Sequence, residues 1–296
     1  MQIPPPFRIL LVIAASLALA ACGSSSKDKK STTGASAPKP SALAISISGS
    51  GKKASFTAPA SVKGGVVELT FHNQGKQPHS AQLALLTGNH TPAELLKTLN
   101  ASKGPPAWVH LVGGASGVGP GQTGTATVAL AAGNYIVVDF GGGPGSGNGP
   151  PATKTFKVTG GAAGPLPSTS TTVTATAPAK DKYKWQINGP LKAGANRLTF
   201  VSKGGPDAVH IIAAARLKGK VTDAQIQKAL KSNGPPPPFV DQSSFVSTSV
   251  LDRGRSEVTS LALQKPGEYV LFCPLTDRDG GKSHDQEGLL TRVTVK

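Results

Sequence analysis

The sequence predicts an all-β protein: two tandem Greek-key β-sandwich domains, each with one short helical insert. Three observations lead there. The chain has 296 residues, enough for two domains of ordinary size. It carries 36 Gly and 25 Pro, and its short apolar runs are separated by turn residues roughly every eight to twelve positions, the spacing of a strand-rich sandwich. The segments of the first half also recur, in order, in the second.

The recurrence can be followed element by element. Leu69-Thr-Phe71 returns as Leu198-Thr-Phe200, and His79 returns as His210. Thr91 stands three residues before Glu94, and Thr222 three before Gln225. In this capping-box pattern the hydroxyl and the longer side chain satisfy free amides at a helix start. Leu95 with Leu99, like Ile226 with Leu230, falls on one face of the helix that follows. Both helices run out into Gly-Pro-Pro, at 104–106 and 234–236. Gly133-Asn-Tyr135, leading to Asp139, matches Gly267-Glu-Tyr269, leading to Cys273. Counterparts lie 129 (Phe71 to Phe200) to 134 (Asp139 to Cys273) residues apart, so the repeat is a duplicated domain with small loop changes. Two copies are too few for a solenoid, and each is expected to close its own core. Strands are expected over 66–71, 125–130 and 135–140, then over 197–201, 210–214, 258–263 and 269–273.

The flanks indicate where the protein works. Arg8 precedes an apolar run that ends in Leu19-Ala-Ala-Cys22, so residues 1–21 read as a signal peptide, too short to span a membrane. That ending resembles the bacterial lipoprotein box, which implies acylation of Cys22 and a lipid anchor on the extracytoplasmic face of the cell membrane. Residues 22–40, rich in Ser, Lys, Gly and Pro, read as a flexible tether. Residues 160–180 read as a Ser/Thr/Ala/Pro linker between domains at 41–159 and 181–296. The net charge is +16, or +15 once residues 1–21 and Arg8 are removed (30 minus 15). The lysines are scattered and form no basic helix or aromatic-basic stripe. The charge therefore reads as a solvated surface near anionic lipid or wall polymers, with no nucleic-acid partner. Cys22 and Cys273 are the only cysteines, so burial and not disulfides must hold the domains.

The chemistry concentrates at the C-terminus. The run 267–273 ends in Cys273, followed by Pro274, a loop whose ten residues are 274–283, then His284, Gly288 and a closing strand at 293–295. A thiolate with two imidazoles suits copper, and a weak axial partner lets such a metal change oxidation state with little rearrangement. Taken singly, the same residues have plainer readings: Cys273 as a small buried apolar side chain, His210 as a strand histidine, His284 as a loop residue.

On these residues the second copy resembles the cupredoxins, the plastocyanin and azurin group. The resemblance covers nearly all of 181–296 and, more weakly, 41–159. It implies one type 1-like copper held by His210, Cys273 and His284, with Leu289 in the axial methionine position, where it cannot ligate. It also implies single-electron transfer with a redox protein of unknown identity, and the His284 imidazole as the exit. No catalytic residue is assigned, and the expectation is a protein that is not an enzyme. The ten-residue loop is longer than in the small electron carriers.

The first copy keeps His79 but has Asp139 at the cysteine place and no histidine in 141–151, so it is expected to lack metal. His72, His90 and His110 show no ligand spacing, and no His-x-His or His-Cys-His run supports a multicopper oxidase cluster. Asp277-Arg-Asp279-Gly280 lacks the remaining calcium-loop positions and reads as a turn. Two other functions suit the same sequence. One is copper storage or delivery through the same residues; the other is a metal-free two-domain binding or adhesion module.

Overall fold

Strands form where short β-branched runs meet Gly-rich turns, and the structure, a computed structural model, describes residues 39–100, 104–140, 151–161, 164–205, 207–231 and 236–296. The signal peptide, Cys22, the tether up to residue 38 and Gly234-Pro235 lie outside the described residues. The first half contains β1 (Ser41–Ser48), β2 (Ser55–Thr57), β3 (Ser61–Lys63), β4 (Gly65–Asn73), β5 (His79–Leu86), α1 (Pro92–Asn100), β6 (Val109–Val118), β7 (Thr123–Leu130), β8 (Gly133–Val138) and β9 (Thr153–Thr159). The second contains β10 (Thr172–Ala179), β11 (Lys182–Asn188), β12 (Gly194–Lys203), β13 (Val209–His210), β14 (Ala213–Leu217), α2 (Asp223–Leu230), β15 (Val240–Ser247), β16 (Leu251–Asp252), β17 (Ser256–Leu263), β18 (Gly267–Phe272) and β19 (Leu290–Val295).

The chain is an all-β pair of cupredoxin-like sandwiches, each with one short helix. In the first half, β2-β1-β4-β7 faces β6-β5-β8-β9-β3; in the second, β11-β10-β12-β17 faces β15-β14-β18-β19. The duplication is written in the pairing: β1 runs parallel to β4, and β10 runs parallel to β12. It is also written in one side-chain device. Tyr135 donates its hydroxyl to Ala131 O at 3.0 Å, and Tyr269 donates to Lys265 O at 2.9 Å, each four residues back.

The alternation of β4 turns Val67, Leu69 and Phe71 inward, where they pack with Leu43, Leu83 and Tyr135. Leu198, Phe200, Leu261, Tyr269 and Leu271 do the same in the second half. Each such side chain contributes about 1.5–3 kcal/mol by leaving water. Both capping boxes form: Glu94 N–H and Gln225 N–H each donate to the preceding Thr hydroxyl at 3.3 Å. Leu95 and Ile226 are buried, as the helical face requires.

Two features differ from the sequence reading. Residues 172–179, inside the stretch read as linker, form β10, with Val173 and Ala175 fully buried between β11 and β12. A Thr/Ala-rich strand looks like a linker by composition, because small side chains suffice between two neighbouring strands. The sandwiches are also not closed separately. Strand β17 pairs with β7 (Glu257 opposite Val128, Val258 opposite Thr127), making one eight-stranded sheet, and Leu251 of β16 pairs with Val112 of β6. Strand edges left open by each sandwich are thereby satisfied. Residues Lys39–Lys296 form one unit. Gln82 ties the seam, donating to Val250 O at 3.0 Å and accepting from Val250 N–H at 2.6 Å.

Candidate metal centre

His210 ends the short strand β13, after a turn through Gly204. That glycine is required by contact: a Cβ there would lie 2.2 Å from His210 Cε1 and 2.8 Å from Nε2. Cys273 follows β18, on the inward face that Tyr269 and Leu271 share. His284 comes after ten intervening residues, yet the loop closes tightly. Cys273 N–H donates to Leu289 O at 3.1 Å, Asp285 N–H to Cys273 O at 2.9 Å, and Leu289 N–H to His284 O at 2.7 Å. These bonds fix the ends of the loop whatever its middle does.

The structure brings the three expected residues together. Cys273 Sγ lies 3.6 Å from His284 Nδ1, and the His210 and His284 ring centres are 4.8 Å apart. All three side chains are fully buried, as is Leu289. The sulfur also accepts from Ile211 N–H at 3.5 Å. Burial drives the Cys273 thiol up to about 12, with the Ile211 N–H pulling the other way. Burial, reinforced by His284, drives His210 down to about 3. His284 is lowered by burial too, against the pull of Asp277. Both rings are therefore neutral bases at neutral pH, the form that binds a metal.

Does this set fit a metal? A metal about 2.0 Å from a nitrogen and about 2.3 Å from a sulfur separates them by 3.6 Å at an angle of roughly 114°, between tetrahedral and trigonal. Cys273 and His284 fit. His210 is turned: its Nδ1 bonds Ser202 Oγ at 2.9 Å, and its buried Nε2 has no partner. Accordingly, among the described residues no three His, Cys, Asp or Glu side chains stand ready to hold a metal ion. The donor chemistry fits, with one ring to be reoriented.

Several contributors were not visible in the sequence. Tyr183, on β11, lies over both imidazoles, with ring centres 5.4 Å from His210 and 4.3 Å from His284. Its hydroxyl donates to Asp277 Oδ1 at 3.0 Å, and the same oxygen meets His284 Nε2 at 3.1 Å. The expectation that His284 is the exit for electrons is corrected by this cover, which leaves its ring no exposed edge. Asp277 does sit in a turn, with Gly280 N–H donating to its carbonyl at 3.0 Å. Ser202 had a signal, since it occupies the counterpart of Asn73. Tyr183 had none, lying just past the presumed linker.

In the first half the corresponding place is filled by the protein itself. His79 Nδ1 meets Asp139 Oδ2 at 2.6 Å, and Ser80 N–H donates to the other carboxylate oxygen at 2.9 Å.

No protein-family model matches the chain, and no curated protein matches it. Solved structures do. A multicopper oxidase shares 14% identity over 86% of this chain and 88% of its own, at a TM-score of 0.24. Auracyanin B shares 22% identity over 44% of this chain and 92% of its own, at 0.28. A Cu-containing nitrite reductase from Thermus scotoductus shares 11% identity over 86% and 61%, at 0.23. The fold is cupredoxin-like. These likenesses bear on fold alone, but they correct one expectation. An oxidase and a reductase are among the similar structures, so the reading of the chain as not an enzyme does not stand.

Proposed function

We propose that the second half binds one copper ion through His210, Cys273 and His284, and that the protein passes single electrons to or from a redox protein while anchored outside the cytoplasm through a lipid on Cys22. One observation carries the reading: the fully buried Cys273 Sγ and His284 Nδ1 face each other at 3.6 Å, with the His210 ring centre 4.8 Å from that of His284 and its buried Nε2 without a partner.

Bound copper would supply a one-electron couple. The chain's own residues do the rest. Cys273 gives up its proton on binding, which its burial otherwise opposes. His210, whose Nδ1 bonds Ser202 Oγ and whose buried Nε2 has no partner, would have to reorient its ring to offer a lone pair. Leu289, fully buried and backbone-bonded to both Cys273 and His284, would offer a metal no donor atom, and Tyr183, lying over both imidazoles, would keep water off them.

The test is to add Cu(II) to the purified chain. An intense visible band that Cys273→Ser abolishes is expected. No band, with no copper retained after dialysis, sinks the reading. Mass spectrometry of the membrane-extracted protein checks the lipid: a mature chain starting at an acylated Cys22 is expected, and an unmodified Cys22 refutes it.

A further inference from the structure

Two neighbouring residues of the long loop contact opposite things. Asp277 contacts the candidate ligand His284, while Arg278 contacts the other half of the chain. We infer that Asp277 and Arg278 are positioning residues for His284, and that the first half serves as the anchor that holds them in place. The inference rests on the copper reading for what the pocket takes up, although its first test needs no metal.

The chemistry of the imidazole makes the case for Asp277. In a neutral ring one nitrogen carries the hydrogen and the other a free lone pair. His284 Nε2 faces the Asp277 carboxylate at 3.1 Å, so the hydrogen belongs on Nε2. Nδ1 is then bare, and it is Nδ1 that faces Cys273 Sγ at 3.6 Å. A carboxylate on the far nitrogen of a ligating histidine fixes both tautomer and ring plane. Tyr183 donates to the same carboxylate at 3.0 and 3.3 Å, so Asp277 is itself oriented.

A carboxylate midway along a ten-residue loop stays in place only if the loop is tied down, and Arg278 ties it. Its guanidinium donates to Pro105 O at 2.5 Å, Pro106 O at 2.9 Å and Val109 O at 2.8 Å, all in the first half. It also pairs with Asp252 at 2.5 Å, and Arg278 N–H donates to Asp207 O at 3.2 Å. Four guanidinium bonds are thus made, two of them to a rigid Pro-Pro corner that offers carbonyls and no N–H. Gly104 lets the loop come close: a Cβ there would stand 3.0 Å from Arg278 O. The Gly-Pro-Pro at the end of the first helix, unexplained by the fold alone, thus becomes the socket for the metal loop of the other half.

The experiment is long-range proton–nitrogen correlation NMR of the histidine rings in the metal-free full chain. Wild type is expected to show His284 as a single tautomer with hydrogen on Nε2. Asp277→Ala and Arg278→Ala should both lose that preference. Asp277→Asn keeps an acceptor oxygen and should retain it. Unchanged His79 ring signals confirm folding, and if Arg278→Ala does not fold, Arg278→Lys should show a partial loss. Hydrogen on Nδ1 in wild type, or a tautomer indifferent to both alanine variants, overturns the inference. With Cu(II), the alanine variants should bind about 10- to 100-fold more weakly than wild type. If wild type takes no copper but the tautomers behave as stated, the copper reading fails and the positioning role stands. If copper binds and the tautomer is indifferent, the reverse holds.

Discussion

His79 meets Asp139 at 2.6 Å, at the positions that correspond to His210 and Cys273 in the second half. Both partners are almost fully buried. A direct histidine–carboxylate pair fills the space and satisfies the polar groups that would otherwise face a void. Removing one partner of such a pair leaves the other buried and uncompensated, which costs far more than an exposed pair is worth. Asp139→Ala should therefore lower the unfolding free energy by about 3 kcal/mol in urea titrations, with copper uptake unchanged. A loss below about 1 kcal/mol would mean that the pair is not structural.

Glu257 sits at the seam between the halves, fully buried, with Oε2 accepting from Gly114 N–H at 2.8 Å and Oε1 without a partner. Burial lifts it from an ordinary 4.5 to about 8. The folded chain thus holds a proton that the unfolded chain releases between those values. Stability contributed by this group falls as pH rises from about 4.5 to about 8, and is flat beyond. Glu257→Gln keeps the acceptor for Gly114 and removes the titration. The drop in Tm from pH 5 to pH 9 should be smaller in the variant than in wild type; equal drops would show that Glu257 is not the buried proton carrier. His210, Asp252 and Asp285 titrate in both proteins, so their contributions cancel in the comparison.

Gly204 and Gly75 hold the same station under His210 and His79. A Cβ at Gly75 would lie 2.7 Å from His79 Nε2, as one at Gly204 would lie 2.8 Å from His210 Nε2. Gly204→Ala should displace the His210 ring and weaken copper binding at least tenfold, a typical cost of disturbing a ligand's support. Gly75→Ala should leave copper binding as it is. Equal effects from the two substitutions would count against a site confined to the second half.

Most of the architecture was legible because it rests on local patterns. The two capping boxes and the inward alternation of Leu69 and Phe71 are each set by residues close in sequence. The expectation that His210, Cys273 and His284 would meet came from their placement on the cupredoxin pattern, since His284 has no counterpart in the first copy. What could not be read depends on contacts between distant segments. Tyr183 reaches Asp277 across 94 positions, and Arg278 reaches Pro105 across 173. The β7–β17 seam has no periodicity of its own, since any edge strand could pair there. Strand β10 was mistaken for linker because Thr and Ala bias composition without revealing burial.

On the proposed copper reading, Leu289 is the residue whose exchange would bear most directly on redox behaviour. It is fully buried, its N–H is fixed to His284 O at 2.7 Å and its carbonyl accepts from Cys273 N–H at 3.1 Å. The backbone there is thus locked to both candidate ligands, and Gly288 lets it pass within contact of Tyr183 O, where a Cβ would lie at 2.6 Å. Leu→Met nearly conserves volume and should cost under about 1.5 kcal/mol of stability. If copper is held by the proposed residues, a thioether at this position would supply an added weak donor, and added donation would favour the oxidised ion. Leu289→Met should accordingly lower the reduction potential of the copper-loaded protein in a redox titration. An unchanged potential would place Leu289 away from the axial side, and the ligand assignment would have to be redrawn around Cys273 and His284 alone.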